Sequence, residues 1–101
     1  MSKEMPVDEI LQKASSGDAN AQCLMGRKYL EGDGVIEDFA EALQWYRKAA
    51  DQGVAEGQDM VGYMIGEGIG VTQNNLEAVK WHRKAAEQGL GAAQLNLSVC
   101  Y

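Results

Sequence analysis

The sequence has few of the residues on which a metal site, a catalytic centre or a nucleic-acid interface depends. It contains one histidine, two cysteines and one proline among 101 residues. Cys23 and Cys100 are far apart and lack the spacing of metal ligands, so we expect no metal and no cofactor. The nine basic residues do not gather into a block and the formal net charge is −6. This charge pattern argues against a nucleic-acid partner and against binding to a membrane.

Long apolar segments are missing as well. No stretch approaches the roughly 18 consecutive apolar residues of a membrane span. Residues 1–17 contain no apolar run of signal-peptide length, and two lone cysteines are typical of a reducing compartment, so we expect a cytoplasmic protein. Because 46% of the residues are apolar, the chain is expected to fold as one packed unit.

An internal repeat dominates what the sequence does contain. Residues 19–54 and 55–90 align without gaps, and about 16 of the 36 aligned positions are identical, so the two segments are copies of one unit. Residues 91–101 match the start of a third copy, and residues 7–18 are in phase with the end of an earlier one. The predicted organisation is an N-terminal tail (1–6), a lone helix (7–18), repeat 1 (19–54), repeat 2 (55–90) and the first helix of a partial repeat 3 (91–101).

Each copy has the pattern of two helices joined by a turn. Asp38 and Asn74 each precede a glutamate by three residues, which is typical of a helix N-terminus, and Gly53 and Gly89 stand where a left-handed C-terminal cap is expected. No segment alternates with period two, so we predict an all-α fold of about six helices. In the second helix of repeat 1, helical spacing predicts one buried face made of Phe39, Ala42, Leu43, Tyr46, Ala49 and Ala50.

The segment 66–71, GEGIGV, has the composition of loops that hold phosphates. It follows a predicted helix, however, whereas a dinucleotide-binding loop follows a strand, and its glycines are spaced G-x-G-x-G. The segment 31–35, EGDGV, stands at the same phase of repeat 1. We therefore interpret both segments as turns in which glycine ends the first helix at positive φ. Gly26 and Gly62 are interpreted as small residues that let the paired helices approach closely.

The two copies resemble the Sel1-like repeat family. The resemblance rests on A-x-x-x-x-G-x-x-x-x-x-G-x-G-V, whose first alanine is Ala21 in repeat 1 and is replaced by Gly57 in repeat 2. It rests also on A-x-x-W-[Y/H]-R-K-A-A-x-Q-G, which is complete in both copies. It implies a right-handed α/α solenoid of helix-turn-helix repeats of about 36 residues, related to tetratricopeptide repeats. It also implies a bacterial adaptor or scaffold that binds another protein or a peptide. A cysteine-rich branch of the family is linked with β-lactam binding or hydrolysis, but it carries a paired cysteine in each repeat, which this chain lacks.

No set of residues forms a candidate catalytic centre. His82 occupies the position that Tyr46 fills one repeat earlier, and we interpret it as a histidine of the core. Cys23 and Cys100 are not close to His82 in repeat phase, so no nucleophile stands beside a base. We interpret both as helix-surface or half-buried thiols and expect no enzyme activity.

Partner-binding residues are expected on the first helix of each repeat, which lines the concave face of such a stack. Scaffold positions match between copies, so the positions that differ are the candidates. They are Asn20, Cys23, Arg27, Leu30, Glu56, Asp59, Tyr63, Leu95 and Val99. Tyr63 is the aromatic residue among them and the first choice for an alanine substitution.

Residues 91–101 form a predicted apolar helix with no charged residue after Glu87. Its apolar side chains, candidates for an end-to-end contact, are Leu95, Leu97, Val99 and Tyr101. A longer parent protein, a partner that covers the end, or self-association would each account for it. Two alternatives to an adaptor therefore stay open. One is a hydrolase or ligand-binding member like the cysteine-rich branch, and the other is a self-assembling block or a fragment of a longer repeat protein.

Overall fold

A computed structural model describes residues 6–88, which form five α-helices and no strand. The helices are α1 (Val7–Ser15), α2 (Ala19–Glu31), α3 (Phe39–Asp51), α4 (Ala55–Glu67) and α5 (Asn75–Glu87). Each helix packs against the next one in the chain, so that α2–α3 and α4–α5 are two helix pairs and α1 packs on α2. This confirms the predicted all-α solenoid. The predicted sixth helix, 91–101, and the predicted cap at Gly89 lie outside the described residues.

The predicted helix starts are confirmed. The Asp38 side chain accepts a hydrogen bond from the N–H of Glu41, and the Asn74 side chain accepts one from the N–H of Glu77, both at 3.0 Å. Asp18 caps α2 in the same manner, accepting from Ala21 at 2.9 Å. Each such cap satisfies a backbone donor that the helix leaves unpaired, and its removal costs about 1 kcal/mol.

The two glycine-rich segments are turns, as predicted. Gly32 and Gly68 end α2 and α4 at φ of 66° and 71°, in the left-handed region. The turns then close with equivalent hydrogen bonds, because the N–H of Asp38 donates to Tyr29 and the N–H of Asn74 donates to Ile65. The two segments thus have the same geometry, which identifies them as structural turns.

Two glycines permit close contact between the helices of each repeat. A Cβ added at Gly26 would lie 2.8 Å from the Tyr46 ring, and one at Gly62 would lie 3.0 Å from the imidazole of His82. Real Cβ atoms avoid such distances, so the ring at position 46 or 82 packs directly on the helix backbone. The predicted role of both glycines is confirmed.

The core lies between successive helices, and the prediction is wrong for one of the residues expected in it. Five of the six residues predicted to form the buried face of α3 are buried. Phe39 instead leaves 42% of its area exposed, because it is the first residue of α3 and lies at the edge of the stack.

Residues that are identical in both copies make equivalent contacts. Nε2 of Gln52 donates to Oε1 of Gln22 at 2.9 Å, and Nε2 of Gln88 donates to Oε1 of Gln58 at 2.8 Å. Gln22 and Gln58 in turn donate to backbone carbonyls of the preceding second helix, those of Ala14 and Ala50. These glutamines hold each repeat on its neighbour and thereby fix the geometry of the surface that the first helices present.

Candidate partner-binding surface

A groove lies where α2 and α4 adjoin. It has a volume of about 300 Å³ and is lined by Asn20, Cys23, Leu24, Arg27 and Glu56. Four of these five residues were predicted from the sequence as partner-binding positions. The structure therefore gathers part of the predicted set at the junction of the two repeats, and we call this feature the α2–α4 groove.

An ion pair joins the two helices across the α2–α4 groove. Nη2 of Arg27 lies 3.1 Å from Oε1 of Glu56, and both side chains are about half exposed. Such an exposed pair contributes only about 0–1 kcal/mol to stability. Its charges can therefore exchange partners at little cost when a ligand enters the groove.

Cys23 forms the floor of the groove rather than part of an open surface. It leaves only 6% of its area exposed, which corrects the expectation of a surface or half-buried thiol. Burial, assisted by the nearby negative charge of Glu56, raises the pKa of this thiol to about 11, although Arg27 opposes the shift. The thiol is protonated near neutral pH and lacks the thiolate character of a reactive cysteine.

Asp59, the counterpart of Cys23 in repeat 2, is also buried and leaves the candidate surface set. Its Oδ1 lies 2.9 Å from Nδ1 of His82, and both side chains are almost completely shielded from water. His82 is thus a core histidine, as predicted. Its partner was assigned to the surface because a carboxylate that differs from its repeat counterpart looks like a contact residue.

Leu24 belongs to the site but is not among the candidate residues predicted from the sequence. It is partly exposed and lines both the α2–α4 groove and a second hollow of about 170 Å³. That hollow is lined by Ile10, Lys13, Asp18, Asn20, Ala21 and Leu24. The sequence signal that could have identified Leu24 is its spacing. Leu24 lies four residues after Asn20 and three before Arg27, which places it on the same face of the helix.

The other predicted contact residues are distributed more widely. Tyr63 is exposed on α4 but does not line the α2–α4 groove, and Leu30 is partly buried against the core. Leu95 and Val99, together with Leu97 and Tyr101 of the predicted end-to-end contact, lie outside the described residues.

Two other kinds of site are absent from the part of the chain that the structure describes. Across residues 6–88, no three histidine, cysteine or acidic side chains converge in a way that would hold a metal ion. No helix in this range is both long enough and apolar enough to cross a membrane.

The stacked helix pairs and the groove between their first helices define a helical-repeat scaffold. The family comparison gives this class its name, since the Sel1 repeat model matches residues 19–54 and 55–90. The chain belongs to the Sel1 repeat family.

Solved structures of bacterial proteins share the fold. A Sel1 repeat protein from Oxalobacter formigenes has a TM-score of 0.86 and 35% identity, covering 88% of this chain and 67% of its own. A protective antigen of uropathogenic Escherichia coli with an SLR fold has a TM-score of 0.87 and 38% identity, covering 93% of this chain and 21% of its own. The cysteine-rich protein B of Helicobacter pylori has a TM-score of 0.83 and 28% identity, covering 92% and 70%.

A curated relative matches a shorter segment. The secretory immunoglobulin A-binding protein EsiB of Escherichia coli is 40% identical over 43 residues, which are 43% of this chain. That segment is 9% of EsiB, so the similarity concerns a small part of a much longer protein.

Proposed function

We propose that this protein is a non-enzymatic adaptor that binds a protein or peptide partner through the α2–α4 groove. The observation that carries the proposal is a contrast in sequence between the residues that hold the repeats together, which we call the frame, and the residues that line the groove. Frame positions, such as Gly26 and Gly62, are identical in the two repeats, whereas the groove residues differ from their counterparts. Proteins of the Sel1 repeat family generally act as protein-interaction scaffolds, which supports the same conclusion.

The chemistry of the groove suits a peptide with one apolar side chain and nearby polar groups. Leu24 offers exposed apolar area, which a partner side chain can bury. Asn20 provides an amide donor and acceptor, while Arg27 and Glu56 provide charges of both signs. An apolar anchor surrounded by polar contacts is the usual arrangement of a binding hot spot.

The test begins with selection of peptide ligands for the immobilised protein from a random displayed library. Selected peptides are then measured by biolayer interferometry against Leu24→Asp and Arg27→Glu. We expect each variant to weaken binding about tenfold or more, equivalent to about 1.4 kcal/mol. The matched control is Leu76→Asp, which places the same charge at an exposed leucine that does not line the groove. Secretory immunoglobulin A is the first whole protein to test in the same assay, given the name of the curated relative.

Peptides that bind all three variants as tightly as the unmodified protein would remove the α2–α4 groove from the proposal. Loss of binding in Leu76→Asp alone would move the site to another face. Circular dichroism of each variant establishes that the fold is intact before affinities are compared.

The absence of enzyme activity is part of the proposal and is tested with nitrocefin, a chromogenic β-lactam. The protonated, buried thiol of Cys23 supports it. We expect hydrolysis at the rate of the buffer alone. A saturable rate that Cys23→Ala abolishes would overturn this part and favour the hydrolase alternative.

A cytoplasmic location is also proposed. The cysteine of the described residues, Cys23, is a free thiol, which suits a reducing compartment. Fractionation of cells expressing the tagged protein tests this, and recovery from the culture medium would overturn it.

A further inference from the structure

One edge of the solenoid contains the turns that join the first and second helix of each repeat. A Cβ added at Gly70 would lie 2.7 Å from the carbonyl oxygen of Phe39, so the turn of repeat 2 lies against the first turn of α3. Residues 31–41 and 67–77, which we call the acidic edge, contain seven acidic residues and no basic one. These residues are Glu31, Asp33, Glu37, Asp38, Glu41, Glu67 and Glu77.

Helix electrostatics account for only part of this charge. Asp38 and Glu41 lie at the start of α3, where negative charge is favourable. Glu31 and Glu67, however, are the last residues of α2 and α4, where a negative charge opposes the helix dipole. Their charge therefore does not serve the helices that carry them.

Two cations reduce the charge of the acidic edge without cancelling it. Nζ of Lys28 lies 2.9 Å from Asp33, and Nη2 of Arg47 lies 3.8 Å from Glu77. Among the ion pairs that residues 6–88 form, these two take up two of the seven acidic residues, so most carboxylates of the acidic edge lie outside such pairs. Negative charge concentrated on one edge attracts cationic partners and raises their association rate.

The same edge exposes large apolar side chains. Ile36 leaves 89% of its area exposed and Leu76 leaves 80%, the highest values among the exposed large apolar residues of the described chain. Phe39 is a third such residue on this edge. Neither aliphatic residue belongs to the repeat frame, because the counterpart of Ile36 is Thr72 and that of Leu76 is Ala40.

We infer that the acidic edge binds a cationic segment of a partner protein, one with aliphatic side chains between its lysines and arginines. The negative charge favours a cationic partner, and the exposed Ile36 and Leu76 favour one that brings apolar area of its own. This surface lies at the repeat turns and shares no residue with the α2–α4 groove. The inference is therefore independent of the proposed function, and each can be refuted without the other.

The probe is a synthetic peptide of alternating lysine and leucine residues. Its binding to the protein is measured by fluorescence anisotropy at low and at physiological ionic strength. One control peptide has serine in place of leucine, and another has glutamate in place of lysine. The first protein variant is Ile36→Ser/Leu76→Ser, which alters only exposed side chains. The second is Glu31→Gln/Glu67→Gln, and the matched control is Leu24→Ser in the groove.

We expect the lysine–leucine peptide to bind and both control peptides to bind at least about tenfold more weakly. Ile36→Ser/Leu76→Ser should weaken binding by a similar factor, and Glu31→Gln/Glu67→Gln should also reduce its salt dependence, because fewer charges take part. Leu24→Ser should bind as the unmodified protein does.

Equal binding of the lysine–serine peptide would reduce the interaction to general charge attraction and overturn the inference. Unchanged affinity in Ile36→Ser/Leu76→Ser would overturn it too, as would a loss confined to Leu24→Ser. Light scattering without peptide gives a further test. A mass that rises with concentration, and no longer rises in Ile36→Ser/Leu76→Ser, would show that a second copy of this chain occupies the edge instead.

Discussion

The buried pair Asp59–His82 replaces the pair Cys23–Tyr46 of the preceding repeat, and this exchange predicts a large coupling free energy. The positions correspond in the two repeats, and in each the ring packs on a glycine of the first helix. The perturbation is to move the repeat 1 pair into repeat 2, first one residue at a time and then together, as Asp59→Cys, His82→Tyr and the double variant.

The single substitutions should be costly. Asp59→Cys removes the carboxylate that lies 2.9 Å from Nδ1 of His82 and leaves a buried imidazole nitrogen without this partner, at about 1–3 kcal/mol. His82→Tyr removes the imidazole that lies 2.9 Å from the buried Asp59 carboxylate, and the loss of such a buried hydrogen bond costs about 1–3 kcal/mol.

The double variant should recover most of that loss. Gly62 leaves the same room in front of residue 82 that Gly26 leaves in front of Tyr46, so a tyrosine ring fits there. No buried carboxylate then remains at position 59, and the new pair is one that this fold already accommodates. We expect its free energy of unfolding to lie within about 1 kcal/mol of the unmodified protein, a coupling of about 2 kcal/mol or more.

The assay is urea unfolding at neutral pH, followed by far-ultraviolet circular dichroism and analysed by linear extrapolation. The reciprocal exchange in repeat 1, Cys23→Asp with Tyr46→His, is the matched control. Losses in the double variant that equal the sum of the two single losses would refute the reasoning, because the two residues would then act independently.

Three further predictions concern stability and assembly. Gly53→Ala and Gly70→Ala impose the same left-handed strain, at φ of 90° and 73°, but only the second places a methyl 2.7 Å from backbone atoms of Phe39. Gly70→Ala should therefore lower the urea midpoint further, by about 1–3 kcal/mol in free energy, and equal effects would contradict the packing argument. The raised pKa of Cys23 means that the folded state retains a proton that the unfolded thiol loses above pH 9.0, so stability should fall by about 2 kcal/mol as pH rises from 9 toward 11. Burial also raises the pKa of Tyr46 above its ordinary value of 10.0, so this residue adds to the loss above pH 10. Cys23→Ala should therefore remove most of the decline between pH 9 and 10 in denaturant titrations and lessen it between pH 10 and 11. Truncation after Gly89 tests by light scattering whether the predicted terminal helix takes part in self-association. We expect the mass of the full chain to rise with concentration and the mass of the truncated chain to stay constant. Identical behaviour of the two chains would exclude residues 90–101 from any assembly.

The fold was predictable because its determinants are local and occur twice. Caps such as Asp38 and Asn74, and the turn glycines, act within a few residues, so they can be read from spacing alone. The prediction that Phe39 is buried was wrong, because helical spacing identifies a face of the helix but does not show where along its length the neighbouring helices end. Burial of a terminal residue depends on tertiary packing, which periodicity does not contain.

The site was predictable only in part, because comparing the two repeats identifies differences without giving their depth. Asn20, Arg27 and Glu56 differ between copies and line the groove, yet Cys23 and Asp59 also differ and are buried. The burial of Asp59 depends on His82, a residue of another helix, and their proximity follows only from the packing of α4 on α5. Leu24 shows the opposite error, since this apolar residue lines the groove but was left out of the predicted candidates.

The α2–α4 groove is built across the junction of two repeats, so its shape should respond to residues that do not line it. Gly57 lies at this junction, where an added Cβ would be 3.0 Å from the backbone nitrogen of Ala50 and 3.2 Å from the carbonyl oxygen of Tyr46. A methyl at Gly57 must push α4 away from α3, because backbone atoms cannot rotate aside as a side chain can. Glu56, the adjacent residue, would move with it relative to Arg27.

Gly57→Ala should therefore weaken peptides that bind the groove about tenfold although no groove side chain has changed. Gly66→Ala is the matched control, since within residues 6–88 its added Cβ would meet only the Cβ of Ala78, at 3.1 Å, in repeat 2 itself. Both changes replace a helical glycine by alanine, so any gain in helix propensity is common to them. Affinity from interferometry and stability from urea unfolding are measured for both. Unchanged affinity in Gly57→Ala, with stability lowered, would show that the groove does not depend on the angle between the repeats.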